Sequence, residues 1–129
     1  MVKLFIGTFF LLFSFIFTNH AFAVSCVAFN NAGTARSAED FTKTKFTASQ
    51  IELFKKVIAS HAGEISAFGV LSKRKKALDL IIKNDDLAWF IANSLSMTRH
   101  DCLLHPERKM NNLAIENFNF LIDAAAEKL

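Results

Sequence analysis

Glycine, proline and cysteine are all scarce in this 129-residue chain. Of the four glycines, one falls in an apolar leader, so only Gly33, Gly63 and Gly69 serve the rest of the chain. That leaves no glycine-rich loop to cradle a phosphate. No Asn-Gly or Asp-Gly pair offers a tight hairpin turn. Strand-like alternation is not sustained anywhere after residue 47. The single proline, Pro106, suits the first position of a helix, where its missing N–H costs nothing. Two cysteines, Cys26 and Cys102, are too few for a zinc-finger set, and no Cys or His pair has the spacing for one. No basic stripe is interleaved with aromatics, so nucleic acid is not an expected partner. Repeats and low-complexity tracts are also missing.

What is present first is a leader. Met1-Val2-Lys3 carries one cation, and Leu4 to Thr18 carries no charge. A spanning helix needs about 20 apolar residues, more than this run supplies. Ala21-Phe22-Ala23 places small residues at the −3 and −1 positions read by signal peptidase. Residues 1–23 are therefore predicted to be a cleaved signal peptide, leaving 106 residues from Val24 to Leu129. A second reading competes. Ala23-Val24-Ser25-Cys26 fits a permissive lipobox, which would anchor a lipoprotein through Cys26. The expected location is periplasmic and soluble; a membrane enters only if Cys26 is lipidated.

Seven of the fifteen phenylalanines lie in the leader. Beyond it, fourteen Lys and Arg face twelve Asp and Glu, a net charge of +2. A chain of this length makes one domain. Two cysteines in an exported protein point to pairing, Cys26 with Cys102. Closing so long a loop stabilises a fold by about 4 to 5 kcal/mol on a chain-entropy estimate. Acylation of Cys26 would strand Cys102 as a lone thiol, which favours the signal-peptidase reading.

Residues 24–46 show no sustained period and read as an irregular N-terminal arm, with a turn at Asn30 to Gly33 and a short helix near 36–42. Residues 47–129 read as the helical domain. Thr47-Ala48-Ser49-Gln50 is a capping box. Behind it, Ile51, Phe54, Ile58 and Ala62 share a face, with Leu53 and Val57 beside it, predicting a helix over 48–62 ended by Gly63. Residues 64–84 read either as a short helix to 71 and a second from 73, capped by Ser72, or as one fused helix; Ile65, Phe68, Leu71, Leu78, Ile81 and Ile82 keep the period. Asp85 and Asp86 suit a helix start. Leu87, Phe90, Ile91 and Leu95 form the next buried face, and that helix is predicted to end near Thr98 or Arg99. Pro106 opens the last helix, whose stripe is Met110, Ala114, Phe118, Leu121, Ile122 and Ala125, running to about Glu127. The fold class is all-α: a small bundle of four or five helices with one disulfide.

Little of this points to catalysis. His100-Asp101-Cys102-Leu103-Leu104-His105 holds the right residue types for a nucleophile, but helix neighbours at i+1 and i+2 do not face each other. The same cluster is a weak metal set. Glu64, Asp79, Asp85 and Asp86 could serve a glycosidase only as a pair across a cleft, and nothing pairs them. No enzyme activity, metal or cofactor is predicted. Two features suit protein binding. Lys73-Arg74-Lys75-Lys76 puts four cations in one helical turn, fit for an anionic partner. Trp89 falls at the margin of its helix's apolar face, where an aromatic can anchor an interface or pack on the arm.

One segment carries a likeness. HPERKMNNLAIENFNFLIDAA, His105 to Ala125, resembles the last helix of periplasmic immunity proteins that neutralise type VI secretion effectors. It covers about a fifth of the mature chain. The Pro-Cys ending and upstream Cys-Ile-Pro segment of that family are missing. The likeness implies a plug-like inhibitor that blocks a toxin or cell-wall-degrading effector, with Trp89 and Lys73 to Lys76 as first candidates for contact. The alternatives are a subunit of an envelope secretion or conjugation system, and a small periplasmic chaperone. Homodimerisation is compatible with each.

Overall fold

The computed structural model describes residues 23–38, 44–68 and 72–128. The predicted signal lies outside them except for Ala23, and the helix expected near 36–42 lies mostly outside too. Five helices follow: α1 (Cys26–Asn31), α2 (Ala48–Phe68), α3 (Lys73–Lys83), α4 (Leu87–Leu104) and α5 (Met110–Ala126). Among the described residues there is no strand, and no helix long and apolar enough to cross a membrane.

The last helix is the hub. α5 packs against α4, α3 and α2, and α1 docks on α4. Its stripe explains this. Met110, Ala114, Phe118 and Ile122 are buried at the predicted spacing, and Leu113 and Ala126 join them. Leu121 and Ala125 lie at the margins. Phe54, Val57, Ile58 and Ile65 from α2 and Ala77, Leu78 and Ile81 from α3 complete one core.

Two of the three predicted helix starts carry their side-chain caps. Thr47 Oγ1 accepts from the Gln50 N–H at 3.2 Å, and Gln50 Oε1 accepts from the Thr47 N–H at 3.3 Å. Ser72 caps α3 through the Lys75 N–H, so α2 and α3 are separate helices. Asp86 holds the N-cap position of α4 without a side-chain bond, and Asp85 turns the chain with φ 62°.

Three boundaries differ from the sequence reading. α2 does not stop at Gly63 but runs through it to Phe68, because Ile65 continues the buried face. Gly63 is exposed, and a Cβ built there meets nothing within 4 Å. Gly63→Ala is therefore expected to stabilise the fold by about 0.5–1 kcal/mol, through helix propensity alone. Urea unfolding monitored by circular dichroism checks this; a loss of stability would contradict the continuous helix.

α4 likewise passes Thr98 and Arg99 and ends at Leu104. Pro106 ends it, since a residue before proline is driven from helical geometry; His105 has φ −130° and ψ 67°. Pro106 is thus not the start of α5. The N-terminal arm claims the intervening backbone instead. Cys26 N–H donates to Arg108 O at 2.9 Å and Met110 N–H to Val24 O at 2.7 Å, with an isolated bridge between Ser25 and Lys109. α5 begins only where that pairing releases the chain. Ile82, read as part of the same apolar period, is exposed instead, although it lies one turn on from the buried Leu78.

The arm is also more ordered than predicted, because α1 lies within it. Phe29 inserts into the core, and Asn30 Nδ2 donates to Cys102 O at 2.9 Å. Thr47 Oγ1 donates to Ala32 O at 2.6 Å. The Cys26–Cys102 disulfide is formed and fully buried. A Cys26 sulfur bonded to Cys102 has no valence left for a lipid thioether.

Candidate partner-binding surface

Trp89 sits in the first turn of α4 and is 57% exposed. It does not pack into the core. Its ring meets the Phe90 ring edge-on, with centroids 5.0 Å apart and planes at 74°. Phe90 is half-buried against the core, so the exposed indole has a fixed neighbour. Asn93 Nδ2 donates to the Trp89 carbonyl at 2.8 Å, bracing the same turn.

The four cations of α3 divide into two kinds. Arg74 makes a bidentate pair with Asp123 of α5, at 2.6 and 2.8 Å. That hydrogen-bonded pairing raises the arginine pKa and lowers the aspartate's below its usual value, against smaller opposing effects of burial. Lys75 pairs with Asp79 one turn on, at 3.0 Å. Lys73 and Lys76 are exposed and, among the described residues, have no ion-pair partner. Arg74 is thus a strut between helices, while Lys73 and Lys76 remain available to a partner. An open cleft of about 420 Å³ lies beside them, lined by Ser72, Lys73, Arg74, Asp123, Ala126 and Glu127.

Trp89 and the cationic turn are not adjacent in the chain's path. The cations open α3, and Trp89 follows its far end. Eleven residues at 1.5 Å rise place a helix of roughly 16 Å between them. One interface of ordinary size spans that distance.

The other candidate residues have partners within the fold. Cys102 is in the disulfide, His100 Nδ1 lies 3.8 Å from Asp101, and Asp101 accepts from Asn117 Nδ2 at 3.0 Å. His105 lies 3.5 Å from Glu107. Among the described residues no three His, Cys, Asp or Glu side chains gather as a metal set. Asp79 is bound to Lys75, Glu64 lies 3.8 Å from His61, and Asp85 and Asp86 form the turn before α4.

Several residues escaped the sequence reading. Arg99 is buried, donates to Thr44 O at 2.7 Å and stacks over Phe46 at 3.8 Å; it was expected at a helix end. Burial lowers its pKa. His61 Nε2 meets Asn119 Oδ1 at 2.6 Å, tying α2 to α5. A shallow groove of about 390 Å³ separates α4 from α5, lined by Asn93, Ser96, Met97, His100, Asp101 and Asn117. Helical spacing carries its α4 wall back to Trp89, four residues before Asn93.

Comparisons with protein-family models, with curated proteins and with solved structures find no match to the chain.

Proposed function

We propose that the protein is exported to the periplasm and acts by binding another protein, as an immunity or inhibitor protein against a toxin or cell-wall-degrading effector. The observation that carries this reading is Trp89. A tryptophan held in place on a rigid helix yet more than half exposed forfeits burial in its own fold. Such a side chain gains most by entering a pocket on a partner, with little ordering cost because it is already positioned. The cations of α3 supply a charged rim. The buried disulfide supports an oxidising compartment, as does the signal pattern of residues 1–23. The likeness of residues 105–125 to immunity proteins supports the choice of effector class.

The test uses residues 24–129 against a panel of amidases and muramidases acting on purified peptidoglycan. One enzyme should be inhibited at near-stoichiometric protein. Trp89→Ala should weaken that inhibition about 30-fold or more, the scale of an interface hot spot. It should shift folding stability by no more than about 0.5 kcal/mol, as an exposed substitution does. Inhibition of no enzyme, or equal inhibition by the variant, removes the proposal.

A further inference from the structure

Among the charges of the mature chain, α3 stands apart. It carries five cations and one carboxylate, a net +4, while residues 24–129 as a whole carry +2. Everything outside α3 therefore sums to −2. The excess is concentrated on eleven residues.

The arrangement on α3 is ordered. Ala77, Leu78 and Ile81 face the core, and Arg74 and Lys75 are engaged by Asp123 and Asp79. Lys73, Lys76, Leu80 and Lys83 are left, spaced three, four and three residues apart, and all four are exposed. That spacing makes one continuous stripe along a helix. Ten residues of rise make it about 15 Å long. Among the described residues, none of the three lysines has an ion-pair partner. The first two also sit at the positive end of the helix dipole, where cations are disfavoured, and no acidic residue in the first turn offsets them. An arrangement that costs the free protein stability is relieved by an anionic surface laid along it.

We propose that this stripe is a docking surface for a protein partner presenting a row of carboxylates with an apolar pocket at its middle. Lys73, Lys76 and Lys83 meet the carboxylates, and Leu80, 39% exposed in the centre of the row, enters the pocket. The inference rests on the reading of the molecule as a protein-binding protein and adds the chemistry of the partner's face. A lipid surface fits less well. A helix lying on a bilayer turns its apolar face outward between flanking cations. Here Ala77, Leu78 and Ile81 are spent on the core, Leu80 alone remains in the stripe, and the exposed Ile82 lies about 160° round the helix from it.

The test titrates ¹⁵N-labelled residues 24–129 with poly-L-glutamate at low ionic strength, and separately with phosphatidylcholine–phosphatidylglycerol vesicles. Amide shifts should centre on 73–83, saturate, and disappear as salt is raised. The Lys73→Ala/Lys76→Ala/Lys83→Ala variant should keep its helical circular dichroism and bind poly-L-glutamate about tenfold more weakly or worse. Lys55→Ala/Lys56→Ala, on the exposed face of α2, should leave binding unchanged. Shifts centred on Lys55 and Lys56 or on Arg108 and Lys109, an unaffected triple variant, or tighter binding to vesicles than to the polypeptide would each overturn the proposal. The titration contains no effector. Its outcome is therefore independent of whether any peptidoglycan hydrolase is inhibited.

Discussion

Reducing the disulfide, or replacing both cysteines by alanine, is expected to lower stability by about 4 to 5 kcal/mol. Cys26 and Cys102 lie 76 residues apart in sequence, so the bond removes much of the freedom of the unfolded chain. The native state loses more than a tether. α1 holds only six residues, too short to persist alone, and its buried anchor Phe29 reaches the core beside the bond. The arm's backbone bonds to Arg108 and Met110 depend on the same docking. Such a loss is comparable with the whole stability of a small domain. At about 4–8 °C per kcal/mol, the melting temperature should fall by roughly 15–40 °C. Thermal melts with and without reductant, beside those of Cys26→Ala/Cys102→Ala, measure it. A reduced protein melting within a few degrees of the oxidised one would show that the arm contributes little to the fold.

The elements legible in the sequence were those whose signal is local. Thr47 and Gln50 satisfy each other's backbone within one turn, and Ser72 does the same for Lys75. The stripe from Met110 to Ile122 needs only its own period. With only two cysteines in the chain, the pairing of Cys26 with Cys102 followed from counting. Positions read wrongly were those decided by distant partners. Gly63 carries a local stop signal, but Ile65 beyond it has a core to fill, and burial outweighs a glycine's cost of about 1 kcal/mol. Pro106 suits a helix start, but the arm from Val24 to Cys26 occupies the backbone that would have followed it. Arg99 looked like a cation at a helix terminus; Phe46 and the Thr44 carbonyl, more than fifty residues away, hold it inside.

The candidate surface divides in the same way. The cationic run at Lys73 was visible as composition, yet which of its members are free depends on Asp123, 49 residues from Arg74. Lys83 and Leu80 were missed although helical spacing from Lys73 and Lys76 reaches both. The run of adjacent cations drew attention away from the longer period. Trp89 was placed at the margin of its helix, and the structure puts it further out than packing on the arm would require.

Phe118→Ala is expected to cost about 3 to 5 kcal/mol, whereas Phe120→Ala, two residues along the same helix, should fall within about 0.5 kcal/mol of the parent. The first ring is fully buried on the hub helix, and His61 meets its edge at a centroid distance of 6.2 Å. Removing it leaves a cavity that α2, α3 and α4 cannot all close at once, since each already packs on α5. The second ring is 64% exposed, about 200° around the helix from the first. Urea unfolding of both variants measures the difference, and an unchanged slope with a lower midpoint for Phe118→Ala would place the loss in stability alone. Equal losses in the two variants would mean that α5 is rotated from the orientation described. The consequence reaches the candidate surface. The same rotation sets Asp123 against Arg74 and Asn117 against Thr98 and Asp101. If Phe118 did not point inward, Asp123 would not face α3, and Arg74 would join Lys73, Lys76 and Lys83 as a fourth cation free to meet a partner.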